Sequence, residues 1–434
     1  MAENNELIQK QKHLLFPSIR TYYDEPLVVT SAQGSWIKTT DGKEYLDFFG
    51  GILTVSVGHS HPAVTRTIQS QAEKLVHAST LYINRPQLEL AERLSKKAPF
   101  SPAKLFFTSS GTEADETAIL TARLHTKAHD IIALRHGYHG RSALAMSLTG
   151  HAAFRLNPVP MPGIVHAVAP YCYRCPLGLS YPSCDIKCGK DVEELIQTTT
   201  NGRVAGMLVE PILGVGGFIV PPPDYFKVVS PIIKKYGGLI IDDEVQTGFG
   251  RTGDGYWGIS GFGIEPDIMT GAKGTANGLA IGWTMARSQI ADSFTGMTIA
   301  TFGGNPLSTA AANATMQVID DDKLQQNAII MGERLRRGLE ALQQKHSVIG
   351  EVRGKGLMQA VELVVDHKTK TPDAATTTRV MEETKKEGLL VGRGGLYSNT
   401  LRIAPALNIS GDLIDEAVTR LDHAFQRATS VQNS

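Results

Sequence analysis

Lys273 ends a short apolar run, DIMTGAK (Asp267 to Lys273), and opens a glycine-rich turn, GTANG. Most lysines lie on solvated faces. One set at the end of a buried strand is instead placed to act as an amine nucleophile toward a carbonyl. Two distant stretches carry complementary groups. In IIDDEVQ (Ile240 to Gln246), Asp243 follows a run apolar enough for full burial, where an unpaired carboxylate is costly. A protonated ring nitrogen would relieve that cost and be held cationic, so that the ring accepts electrons. In FFTSSGTEADE (Phe106 to Glu116), Ser109, Ser110, Gly111 and Thr112 close a strand and open a helix, whose free N–H groups and positive dipole end suit a phosphate.

Taken singly, each of these signals is ordinary. A serine before a helix is commonly only an N-cap, and the GTEADE run has neither the Gly-Lys-Ser/Thr ending of a Walker loop nor a G-x-G-x-x-G pattern. Strand alternation turns Asp242 and Glu244 to the face opposite Asp243, in structural roles. Val245 is placed to pack beneath a ring and Gln246 to reach a ring hydroxyl; without the neighbouring motifs they read as a core aliphatic and a surface amide.

These residues need a scaffold, and the pattern around them supplies one. KLFFTSS, DIIALRH, GMLVEPI, GLIIDDEV and DIMTGAK read as buried strands separated by helical stretches. The alternation predicts an α/β fold, a mostly parallel sheet covered by helices, with active residues at strand carboxyl ends. GSWIKTTDGKEYLDFFGG (Gly34 to Gly51) reads as a hairpin around Asp41 and Gly42. The expected division is an N-terminal arm or subdomain over 1–65, a large domain over 66–320 and a C-terminal small domain over 321–434. A long helical stretch from Asn305 and Pro306 to about His346 should link the last two.

Composition narrows the function class. The 434 residues hold 43 Lys plus Arg against 43 Asp plus Glu. No charge excess therefore points to nucleic acid or an anionic membrane, and small-molecule substrates are expected. No run of some 18 apolar residues occurs, and the N-terminal segment is too polar for a signal peptide, so a soluble, cytoplasmic enzyme is expected. A trimmed presequence stays open. The four cysteines, Cys172, Cys175, Cys184 and Cys188, form C-x2-C-x8-C-x3-C. Two close pairs resemble a thiolate zinc site, but the second pair is loose for a knuckle, and reduced thiols without metal are the expectation.

The run IIDDEVQTGFGRTG, followed by GAKGTANG and then TFGGNP (Thr301 to Pro306), resembles the class III, fold type I pyridoxal phosphate-dependent aminotransferases. The segments YLDFFGGILTVSVGHSHP, VRGKGLM and VGRGGLYSNTLRIAP look like the alanine–glyoxylate aminotransferase 2 branch. The resemblance implies that Lys273 holds the cofactor and shuttles the proton, that Asp243 partners the ring nitrogen, and that Tyr138 stacks opposite Val245. It also implies that Thr301 reaches the phosphate of a neighbouring subunit's cofactor, making a homodimer or dimer of dimers. Arg402 then matches the arginine for the substrate carboxylate, Glu210 a glutamate able to pair with it, and Ile52 a pocket wall. Arg141 matches a position that grips a distal carboxylate in γ-aminobutyrate aminotransferases, so alanine, β- or ω-amino donors and pyruvate, glyoxylate or 2-oxoglutarate acceptors all stay open. Dialkylglycine decarboxylases and amino acid epimerases of the same fold are the alternative. The sequence departs from many relatives at Leu213, Val215 and Asp115, the last where Asn is usual.

Overall fold

The structure, a computed structural model, describes residues 2–156 and 159–430. Its centre is a seven-stranded sheet in the order Ala103–Thr108, Gly282–Arg287, Ile268–Gly271, Leu239–Asp243, Val204–Val209, Asp130–Leu134, Ile164–Ala167. The five strands from Ile268–Gly271 to Ile164–Ala167 pair in parallel. Gly282–Arg287 runs antiparallel to both of its neighbours.

Alternation sorts each strand between two cores. Ile131, Ala133, Leu208, Ile241 and Ile268 pack with Ala118, Ile119 and Ala122 of the Gly111–Thr126 helix. Ile132, Leu134, Met207, Val209, Ile240 and Met269 face the other way, into the largest core. Burial on both faces explains the near-continuous apolar runs, each large side chain contributing about 1.5–3 kcal/mol. All five expected strands are present. Ile164–Ala167 and Gly282–Arg287 were not anticipated: the first is four residues long, and the second owes its pairing to distant partners.

Beyond this sheet, Trp36–Thr39 and Glu44–Asp47 form the expected hairpin, and Leu389–Leu390 joins its edge in parallel. A further sheet contains Ile349–Lys355, Met358–Asp366, Thr400–Ile403 and Gly392–Gly394. The helical stretch after Asn305 is two helices, Pro306–Asp321 and Leu324–Lys345. Lys323, at φ 51°, breaks it, since a left-handed residue cannot continue a right-handed helix.

Gly271 shows how tightly the Lys273 strand is built. It lies across from Trp283, and a Cβ there would sit 2.1 Å from the indole. The indole cannot retreat easily, because Trp283 is fully buried against Phe249 and Trp257 and donates to Thr275 Oγ1 at 3.2 Å. Gly271→Ala should therefore lower stability by about 1–3 kcal/mol through overpacking. Denaturant unfolding checks this, and an unchanged midpoint would contradict it.

Candidate active site

Five chain segments meet at the carboxyl ends of the central strands. Ser110 caps the helix that follows the first strand, its hydroxyl accepting from the Glu113 N–H at 3.3 Å. The first amides of a helix have no intrahelical acceptor, so Gly111 and Thr112 present N–H groups at its positive end. Thr112 Oγ1 accepts from the Arg141 N–H at 3.3 Å, tying the loop after strand Asp130–Leu134 to this helix. That closure needs Gly140, where a Cβ would fall 2.2 Å from the same oxygen.

Asp243 ends its strand with 4% of its surface exposed. Its Oδ1 accepts from the Val245 N–H at 3.0 Å and its Oδ2 lies 2.8 Å from His139 Nδ1. His139 is held in turn by its backbone N–H, which donates to Thr149 Oγ1 at 3.1 Å. Asp242 and Glu244 face away, and Glu244 is satisfied by Thr247 Oγ1 and by the Gly258 and Ile259 N–H groups. Gln246 is buried and its Oε1 has no donor among the described residues. Val245 is half-buried beside Gly111.

Lys273 begins a short 3-10 turn at φ 38°, a left-handed conformation costly for a side chain with a Cβ. The turn is fixed by the Thr275 hydroxyl, which donates to the Ala272 carbonyl at 2.6 Å. Burial pushes the Lys273 amine down to about 8, against the attraction of Asp243 and Glu210. Glu210 is buried, and desolvation raises its carboxyl to about 7. Its two oxygens accept from the Tyr138 N–H at 2.9 Å and the Gly214 N–H at 2.8 Å.

Arg402, on strand Thr400–Ile403, is buried over the Phe49 ring at 4.8 Å, with Nε donating to the Arg393 carbonyl at 3.1 Å. Glu210 and Arg402 form no ion pair among the described residues; backbone amides hold the glutamate in this state. Tyr138 is half-buried against Phe154 and Arg141 is exposed. Ile52 is 45% exposed at φ 68°, an outlier for a β-branched residue. The segment is held there by Asp47, whose Oδ1 accepts from the Phe49 and Gly50 N–H groups and whose Oδ2 meets His59. Thr301 lies in an exposed turn and makes no hydrogen bond to the other site residues of its own chain among those described. The four thiols are free, and burial together with their mutual influence raises those of Cys172 and Cys188. Among the described residues no three of their sulfurs lie within 4.8 Å of one another, whereas Asp115, His139 and Asp243 form such a group.

His139 was missed as a site residue, although it adjoins Tyr138 in the HGYHGR run. Nothing local reveals a bond to a carboxylate 104 positions away.

The profile of the class III aminotransferase family matches residues 19–425. Alanine–glyoxylate aminotransferase 2 homolog 2 of Arabidopsis thaliana is 40% identical, over 97% of this chain and 87% of its own. The leucine/methionine racemase of Thermococcus litoralis is 35% identical over 97% of this chain and 95% of its own. A PLP-bound amine transaminase from an uncultivated Pseudomonas species superimposes with a TM-score of 0.88 at 32% identity, covering 96% of this chain and 98% of that one.

Because burial, with a smaller push from Arg402, depresses Lys273, the cofactor-free protein should acylate at this amine with a pH dependence centred near 8, against about 10.4 for an ordinary lysine. Glu210→Gln removes a negative neighbour and should shift the midpoint lower still. Competitive labelling with peptide mapping measures both, and a Lys273 that titrates like a surface lysine would contradict the assignment.

Proposed function

The chain belongs to the class III aminotransferase family, and on that premise we propose that it moves an amino group from alanine or a β- or ω-amino acid to a small 2-oxo acid. Pyruvate and glyoxylate are placed ahead of 2-oxoglutarate. The observation that carries this reading is a half-buried Lys273 at a locus whose charged neighbours Asp243, Glu210 and Arg402 are all buried.

The residues fit pyridoxal phosphate, and the unpartnered Gln246 Oε1 is the kind of acceptor that a ring hydroxyl would satisfy. The cofactor supplies an electron-accepting ring that carries the amino group between the two substrates. Ser110, Gly111 and Thr112 would hold its phosphate. Asp243 would face its ring nitrogen, with Val245 and Tyr138 on the two ring faces. Lys273 Nζ would tether the cofactor and, once released, would carry the proton from the substrate Cα to the cofactor C4′. An amine near 8 is available unprotonated at neutral pH to an extent that an ordinary lysine is not. Arg402 presents a planar fork to the substrate carboxylate. With Glu210 held by backbone amides, Arg402 stays free of an internal counter-ion and open to a carboxylate, while Ile52 bounds the pocket.

A homodimer, or a dimer of dimers, with Thr301 completing the partner's site is part of the proposal, as is a cytoplasmic location. Ile83 at 89%, Met297 at 92% and Phe302 at 63% exposure supply apolar surface of the kind that self-association covers. No helix among the described residues is long and apolar enough to cross a membrane. The racemase relative makes epimerisation the second reading; it needs no amino acceptor, whereas transamination stops after half a cycle without one.

Kinetics on a panel of acceptors test the substrate class. Arg402→Ala should impair every carboxylate substrate, by about 1.5–3 kcal/mol of lost charge-assisted bonding. Arg141→Ala should penalise 2-oxoglutarate alone. A wild type that prefers 2-oxoglutarate by about a hundredfold, or about 2.7 kcal/mol, with that preference erased in Arg141→Ala, would reverse the ranking of acceptors.

A further inference from the structure

We propose that Asp115 is a positioning residue: its carboxyl keeps a proton, donates it in a hydrogen bond to the Asp243 carboxylate, and so orients that carboxylate toward the ring nitrogen. The proposal rests on the cofactor reading given above.

The geometry is specific. Asp115 lies on the inner face of the Gly111–Thr126 helix with 1% of its surface exposed. Donor atoms of Asp115, His139 and Asp243 all lie within 4.8 Å of one another. Thr270, on the neighbouring strand, donates its hydroxyl to Asp115 Oδ1 at 2.6 Å, so the first oxygen acts as acceptor. Asp115 Oδ2 is 4.0 Å from His139 Nδ1, beyond hydrogen-bond range, while the same nitrogen is 2.8 Å from Asp243 Oδ2. A ring nitrogen carries a single hydrogen, and that hydrogen belongs to Asp243. Among the described residues Asp115 is thus a buried carboxyl with one neutral donor, the Thr270 hydroxyl, and another carboxyl beside it. Two such groups cannot both ionise in a sealed site.

The charged and titratable groups facing Asp115 are Asp243 and Glu210, which both oppose its ionisation, with His139 and, farther off, Lys273. Burial and Asp243 hold the Asp115 carboxyl well above the usual carboxylate range. The proton therefore stays on Asp115, whose Oδ1 is engaged by Thr270 and whose carboxyl lies within 4.8 Å of Asp243. Asp243, bonded also by His139 and by the Val245 N–H, then remains the carboxylate that meets the ring. Asn at this position would supply the same donor through its amide. The Asp found here achieves it only as a neutral acid.

Two measurements test this. In the cofactor-free protein at about pH 8, well above an ordinary Asp pKa, the infrared difference between wild type and Asp115→Asn should contain the C=O stretch of a neutral carboxylic acid. The paired stretches of a carboxylate in its place would overturn the proposal. In the holoenzyme carrying 15N in the cofactor ring, the nitrogen shift should titrate alike in wild type and Asp115→Asn. In Asp115→Ala, which has no donor, the ring nitrogen should deprotonate at least about one pH unit lower, a tenfold loss of proton affinity. Superimposable titrations of wild type and Asp115→Ala would reduce Asp115 to packing and overturn the proposal. Asp115→Leu, close in volume and without a donor, serves the same comparison if the alanine variant does not fold. The infrared arm decides the Asp115 proton without any cofactor, so a wild type that takes up none would overturn the proposed function rather than this state.

Discussion

A carboxylate held in a nearly dry place, Asp243, is the constraint around which the rest is arranged. Its strand is buried on both faces, so the carboxyl emerges at the sheet edge with 4% exposure and little water to solvate it. Desolvating such a charge costs several kcal/mol unless neighbours replace the water. The replacements are local and distant at once: the Val245 N–H two residues on, and His139 from a loop after another strand. The parallel order of the central strands is what brings those two loops to one edge.

The same dryness acts on the groups around it with opposite sign. Desolvation lowers the Lys273 amine and raises the Glu210 carboxyl, moving both toward neutrality and toward each other's range. A lysine at the surface would be a cation at working pH and a poor nucleophile; one beneath the sheet edge is a usable base. Arg402 does not yield its charge in this way, because guanidinium pKa values lie too high. Aromatic faces and carbonyl oxygens line it, and among the described residues no acid forms an ion pair with it. The result is a site whose permanent positive charge is open to a substrate carboxylate.

The strands that carry Asp243 and Lys273, and the helix opened by Ser110, were legible because burial on two faces writes itself as local apolar runs. The family followed from the motifs those elements carry. The Gly282–Arg287 strand was not legible, since its place between two strands depends on pairings with Thr108 and Gly271. Neither was the break at Lys323, where nothing in the helical pattern marks a left-handed residue. In the site, His139 and Asp115 escaped for one reason. Their partners lie 104 and 155 positions away, and only the assembled sheet makes them neighbours. Glu210 illustrates the complementary case: its burial fits a strand end, and its partners in this state are backbone amides, which the sequence did not indicate.

The central claim is that Asp243 acts through its charge. Asp243→Asn keeps the size of the side chain while removing that charge and exchanging one accepting oxygen for a donor. With pyridoxal phosphate bound and alanine mixed in a single turnover, the account predicts retained cofactor binding and an amino-transfer half-reaction slowed by about a hundredfold or more, at least about 2.7 kcal/mol. A half-reaction within about tenfold of wild type, about 1.4 kcal/mol, would contradict it and place the electron-accepting control elsewhere.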